Sequence, residues 1–185
     1  MEKIEKKIRE IAGKLLKDKK VKLIIGFEKG TLPLKVRPTF VRKPEEVEKL
    51  IWNPFCENNL AVYIPFYRRY LDNGESIGVI AKGCDARSLI LHIQENIAKR
   101  EQIFIIGIPC EGILDRKRIE KEVFPGEITE ASEKDDTILV KGNGFEKTLR
   151  KKDFLCEDCI VCSHRKPVVY DELVEGDVKE TEAAD

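Results

Sequence analysis

The chain has 185 residues, 42% of them hydrophobic and 37% charged, which suits one soluble domain with a sizeable core. Its 34 Lys and Arg balance its 34 Asp and Glu, so it lacks the basic surplus that nucleic-acid partners select. No apolar run approaches membrane-spanning length and no signal-peptide core opens the chain, so the expectation is a cytoplasmic protein without membrane insertion.

Residues 2–17 set Ile4, Ile8, Ile11, Leu15 and Leu16 on one stripe at helical spacing, with charges opposite, which predicts an amphipathic helix. Val21 to Phe27 reads as a strand, closed by Lys29-Gly30. Thr31 to Arg42 carries Pro33 and Pro38 between apolar residues and suits an extended edge strand or loop. Pro44 opens a short helix with Glu45 and Glu46 in its first turn, ending near Trp52-Asn53-Pro54. Glu57 to Tyr70 reads as a second helix that Pro65 must kink or split, and Asp72-Asn73-Gly74 as a turn. The aromatics Trp52, Phe55, Tyr63, Phe66, Tyr67 and Tyr70 crowd this stretch, as core or as anchors for a partner.

Ser76 to Ala81 reads as a buried strand, Lys82-Gly83-Cys84-Asp85 as its turn, and Ala86 to Lys99 as a helix with Asp85 as N-cap. Gln102 to Ile108 is the next strand, bounded by Pro109-Cys110-Glu111-Gly112. Strand, crossover helix and strand make a βαβ unit, hence parallel strands with a right-handed connection. Both strands are apolar on successive residues, as expected when both sheet faces are covered. Arg116 to Val123 reads as a short charged helix, and Thr137 to Leu149 as a hairpin around Asn143-Gly144. The fold class is therefore α/β: a parallel βαβ core with a C-terminal hairpin over residues 1–150. A cysteine-rich cluster-binding segment follows over 151–175, then an acidic tail over 176–185 that reads as disordered.

Disulfides rarely persist in the cytoplasm, so the six cysteines point to metal or redox work. Cys156, Cys159 and Cys162 form C-x₂-C-x₂-C, a run that fills three corners of a cluster in bacterial ferredoxins. The fourth ferredoxin cysteine would fall at Lys166, followed by Pro167, so a fourth ligand must come from elsewhere in the fold. Cys84 and Cys110 each lie just past the end of a predicted parallel strand, which brings their loops to the sheet edge where α/β folds hold ligands. Cys84 also sits at a helix start, whose dipole favours a thiolate. The metal candidates are thus Cys84, Cys110, Cys156, Cys159 and Cys162. Cys56 reads as structural, and His92 as a packing or surface residue. His164 can complete a zinc site with three cysteines, the alternative in which the chain is a zinc-stapled adaptor. Gly83, Asp85 and Arg87 are candidates to hold a flavin or phosphate edge at the helix start, although no G-x-G-x-x-G or P-loop is present. No catalytic triad or carboxylate pair suggests hydrolysis.

The string from Ala81 to Gly112, AKGCDARSLI…REQIFIIGIPCEG, followed by CEDCIVC, resembles the beta-subunit family of coenzyme F420-reducing hydrogenases and F420-dependent formate dehydrogenases. In that pattern Cys84 matches the first cysteine loop, Cys110 the second, and Cys156 with Cys159 the later run. The resemblance spans roughly residues 50–172. It implies a 4Fe–4S protein that passes electrons beside larger subunits of an anaerobic redox complex of hydrogenase, formate dehydrogenase or heterodisulfide reductase type. Full-length members also bind a flavin and the deazaflavin coenzyme, so a flavin-linked beta subunit is the second alternative. The cluster would be held by Cys156, Cys159 and Cys162 with Cys84 or Cys110, or, in the family's pattern, by Cys84 and Cys110 with two of the run.

Overall fold

The computed structural model describes residues 2–176 and 178. The residues 177 and 179–185 of the acidic tail lie outside the described residues. Helix α1 (Glu2–Lys17) buries Ile8, Ile11, Leu15 and Leu16, the stripe expected from their spacing. It ends where Lys19 takes a left-handed conformation and Lys20 N–H returns to the Leu15 carbonyl at 2.9 Å.

Five strands form the main sheet: β1 (Leu23–Lys29), β2 (Val36–Val41), β3 (Ile77–Ala81), β4 (Ile103–Gly107) and β8 (Glu172–Leu173), in the order β2-β1-β3-β4-β8. β1, β3, β4 and β8 run parallel, and only β2 is antiparallel. β3 is buried at every residue and β4 at all but Phe104, because elements pack on both faces. β2 lies at the edge and alternates in burial, which is where Pro38 is tolerated, opposite Phe27.

Between β2 and β3 the chain makes a 3-10 turn at Pro44–Lys49 and another at Leu60–Tyr67, then a short helix α2 (Arg68–Asp72). Pro65 splits the predicted helix as its missing N–H requires. Trp52 and Phe55 are buried, Tyr63, Tyr67 and Tyr70 are half-buried, and Phe66 is 79% exposed.

The third helix differs from the sequence expectation at both ends. Helix α3 covers Gly83–Gln94 rather than Ala86 to Lys99, and its N-cap is Lys82. Asp85 is the third helical residue instead, and its Oδ2 reaches back to accept the Lys82 backbone N–H at 2.8 Å. The helix stops early because Asn96 adopts a left-handed conformation, with Ile97 N–H bonded to the His92 carbonyl at 2.9 Å.

Beyond β4, helix α4 (Arg116–Glu122) starts at Asp115, whose carboxylate accepts Arg118 N–H at 3.1 Å. The predicted hairpin is present as β6 (Thr137–Gly142) and β7 (Phe145–Arg150), but β5 (Ile128–Lys134) joins it, making a three-stranded antiparallel sheet. β5 is mostly exposed and polar, so it carries no apolar alternation to announce it. Ile138, Val140 and Leu149 of this sheet share a second apolar cluster with Leu34, Phe55, Leu114 and Ile119. After it the chain runs through a short helix α5 (Glu157–Ile160) and returns to the main sheet as β8.

Candidate functional site

The parallel strands β3 and β4 are in register from Ile77 with Ile103 to Ala81 with Gly107, so their C-terminal ends are level. The turn bearing Cys84 and the loop bearing Cys110 therefore leave the sheet side by side. The chain comes back to the same edge through the cysteine run, because β8 pairs with the end of β4. Three separate segments meet there.

The contacts between them are tight. Gly83 faces the main chain of the returning segment: a Cβ on it would lie 2.2 Å from the His164 carbonyl oxygen. Gly112 has φ +116°, a conformation left to glycine, and a side chain there would strike Leu155 and Arg165. Cys110 N–H donates to the Arg165 carbonyl at 2.8 Å, and Cys156 N–H to the Ile113 carbonyl at 2.8 Å. The buried Arg165 guanidinium donates to the Glu111 carbonyl and, at 2.9 Å, to the Cys159 carbonyl. Sequence reasoning passed over this arginine, which stitches the Cys110 loop to the cysteine run.

The thiols share one electrostatic neighbourhood. Burial pushes Cys110 up to about 11, and the Cys159 and Cys84 sulfurs add to the rise. Cys84 is also raised, by burial first, then by Asp85, with a contribution from Cys159. Cys156 is pushed up to about 11 by burial and then by Cys159. Two of these segments also aim backbone N–H groups at sulfur. Gly112 N–H favours the Cys110 thiolate, Asp85 N–H the Cys84 thiolate, and Ile113 N–H donates to Cys159 Sγ at 3.3 Å. Cys162 is half-buried just beyond α5, and the exposed His164 ring engages Ser163 through Nδ1 at 2.9 Å.

Under the thiols lies an ion pair that the sequence reading did not single out. Lys82 and Asp85 are both buried, with Lys82 Nζ 3.0 Å from Asp85 Oδ2. Lys82 Nζ also donates to the carbonyls of Cys56 at 3.1 Å and Asn58 at 2.8 Å, while Asp85 Oδ1 accepts Leu60 N–H at 2.8 Å. Cys56 is fully buried and pushed up to about 12, by burial above all, with Asn53 N–H and the Lys82 charge pulling the other way. It belongs to the floor of the site.

Of the three residues expected to hold a flavin or phosphate edge, Gly83 is covered by the cysteine segment and Asp85 is spent on Lys82 and Leu60. Arg87 is exposed. His92 is half-buried and contacts the Ala61 carbonyl through Nε2 at 3.1 Å, with Nδ1 buried and unpartnered. A cleft of about 630 Å³ opens elsewhere, between the 29–36 loop, residues 53–55 and β5.

Among the described residues no three His, Cys, Asp or Glu side chains gather as ligands of a single ion. A structural zinc site needs four donors about one point. A cube of iron and sulfide binds its thiolates at separate corners, and its ligands need not converge on one atom. Cys84, Cys110, Cys156 and Cys159 lie on three segments of this edge, and backbone N–H groups reach the sulfurs of Cys84, Cys110 and Cys159.

No family model matches the sequence, and no curated protein matches it. Among solved structures, this fold is similar to a chain from the xenon-derivatised F420-reducing NiFe hydrogenase complex of Methanosarcina barkeri, with a TM-score of 0.62 at 15% identity. The match covers 85% of this chain and 58% of the hydrogenase chain, so this chain spans little over half the length of the protein it resembles. No helix among the described residues is long and apolar enough to cross a membrane.

Proposed function

We propose that the chain is an electron-transfer subunit of an oxidoreductase complex, holding a 4Fe–4S cluster on Cys84, Cys110, Cys156 and Cys159. The observation that carries this reading is the meeting of the Cys84 turn, the Cys110 loop and the cysteine run at one sheet edge, held by the level ends of β3 and β4, by the Cys110 N–H and Cys156 N–H bonds and by the close approach of Gly83 to the 164–166 main chain. The likeness of the fold to a chain of a hydrogenase complex supports the class of assembly. When bound, such a cluster accepts and releases one electron at a time. The N–H groups of Asp85, Gly112 and Ile113 favour negative charge on the sulfurs. Cys84 is exposed, and Ile160 and Val161 are 55% and 75% exposed on the cysteine run, so a redox partner can approach the centre closely.

Anaerobic purification with iron, sulfide and zinc analysis tests the reading, alongside visible absorption. The expected result is about four irons per chain with a broad brown band, and Cys159→Ser losing the cluster or keeping a three-iron remnant. A colourless chain, or a Cys159→Ser variant with full iron and an unchanged spectrum, overturns it. Cys162→Ser should keep its iron; loss there would move the fourth ligand to Cys162. A flavin-linked reading draws on the 630 Å³ cleft, and flavin absorption in the purified chain would select it.

A further inference from the structure

Successive residues of a strand point to opposite faces of the sheet, so an unbroken run of them reaches one cleft only where the cleft follows the strand's edge. Residues 129–133 of β5 all line the cleft of about 630 Å³, which therefore meets β5 edge-on. β5 is the end strand of its sheet and pairs with β6 alone. Among the described residues, no backbone bond takes up the N–H and C=O groups of 129–133 on the other side. The ladder is regular from Glu130 with Lys141 to Lys134 with Thr137, which at about 3.3 Å per residue leaves an open edge of about 13 Å. The end strands of the main sheet offer less: β2 carries Pro38, which cannot donate, and β8 has two residues.

The wall facing β5 is anchored. Leu34 takes a left-handed conformation and is buried with Phe55 and Ile138 in the second apolar cluster. The turn closes on itself through Gly30 N–H, which donates to the Lys35 carbonyl at 2.8 Å. The charges of the cleft do not cancel. Glu5 is paired with Arg9 and Glu133 with Lys151, and Glu130 stands opposite Lys141 across the ladder. Lys29 and Lys35, both exposed on the facing wall, have no carboxylate partner among the described residues. We infer that this cleft takes an extended acidic peptide segment of a partner protein, which adds to the sheet as a strand beside β5 and sets its carboxylates toward Lys29 and Lys35. The main chain of the guest meets the free edge of β5, and its alternation gives one set of side chains to the lysines and the other to the apolar side of the cleft. Such binding needs no iron, so it stands apart from the iron–sulfur reading.

The test titrates the full chain into a fluorescein-labelled peptide that alternates valine and glutamate over about six residues, read by fluorescence anisotropy. Saturable binding is expected, with slower hydrogen exchange at 129–133. The double variant Lys29→Glu with Lys35→Glu should bind about tenfold more weakly, and both positions are exposed. Methylating the backbone nitrogens of the peptide should abolish binding, because the guest then has no donors for the edge. No binding, equal binding of a peptide with lysine in place of glutamate, or unchanged exchange at 129–133 overturns the inference. A concentration-dependent dimer with that same slowed exchange gives the edge to a second copy of the chain and overturns it. Flavin held by the purified chain that the peptide cannot displace gives the cleft to the flavin and also overturns it.

Discussion

Replacing Gly83 by Ala tests whether the cysteine run is seated against the β3–α3 turn. The added Cβ would stand 2.2 Å from the His164 carbonyl oxygen and 3.1 Å from that of Lys166. These are backbone atoms and cannot swing aside, so the 164–166 segment must retreat by roughly 1 Å to reach ordinary contact. That segment is held by the Cys110 N–H bond to the Arg165 carbonyl and by the bonds of the Arg165 guanidinium to Glu111 and Cys159. Weakening one or two of these, at about 1 kcal/mol net each, and overpacking the turn add to a loss of about 1–3 kcal/mol. For a chain of this size that is a fall in Tm of about 2–12 °C. The matched control is Gly13→Ala in α1, where the new Cβ meets only Val47 methyls at 3.9 and 4.0 Å. There the gain in helix propensity should stabilise by about 0.5–1 kcal/mol. Thermal unfolding of both variants, with iron content measured on each, checks the pair. A Gly83→Ala chain as stable and as rich in iron as the wild type would refute the seating of the run on the turn.

The buried Cys56 thiol should make stability fall in alkali. Its pKa is raised from 9.0 to about 12, so the unfolded chain loses this proton first and the stabilisation, complete below 9.0, disappears as pH rises toward 12. Urea unfolding of the iron-free chain between about pH 8 and about pH 10.5 should show the wild type losing roughly 2 kcal/mol more than Cys56→Ala, and equal slopes would discount the burial. Asp171→Ala should free β8, because its carboxylate accepts Ile105 N–H at 2.7 Å and Arg100 Nη2 at 2.8 Å. A cost of about 1–3 kcal/mol and faster hydrogen exchange at Val174 N–H, which bonds the Gly107 carbonyl, are expected; unchanged exchange there would refute the tether.

The βαβ unit was legible because β3 and β4 are unbroken apolar runs separated by a helix, a pattern with few other solutions. From it followed the side-by-side placement of the Cys84 and Cys110 loops. The amphipathic α1 and the break at Pro65 were equally plain, each resting on one strong local signal. β5 was hidden because it lies on an exposed sheet and carries mostly polar residues, so nothing in its period marks it. β8 is two residues long, and its pairing depends on Asp171 gripping β4, a contact far away in sequence. The start of α3 was misread because Asp85 suits both the N-cap and the third helical position, and only the reach of its carboxylate to Lys82 N–H decides between them. The buried Lys82 went unnoticed for a related reason. A lysine in a turn reads as solvated, and only the Asp three residues later, together with the strand end before it, hints at a buried pair.

The order of the segments explains why this site had to be assembled late along the chain. Cys84 and Cys110 follow consecutive strands and need only the βαβ unit to stand together. The cysteine run lies beyond the whole three-stranded sheet, and the chain returns to the main sheet after it where β8 pairs with β4. Leu114 bridges to Leu155 just before the run, and Cys156 N–H bonds the Ile113 carbonyl, so the run is pinned at its entrance as well as at its exit. On the proposed reading, a thiolate centre drawn from these segments would close the stretch between Cys110 and Cys156, which holds α4 and the three-stranded sheet. Closing it costs chain entropy that rises only slowly with loop length, while each ligand bond formed is lost again if β8 detaches. Iron binding on this chain should accordingly stabilise the β4–β8 pairing most of all, and hydrogen exchange at Val174 is where that coupling would be read.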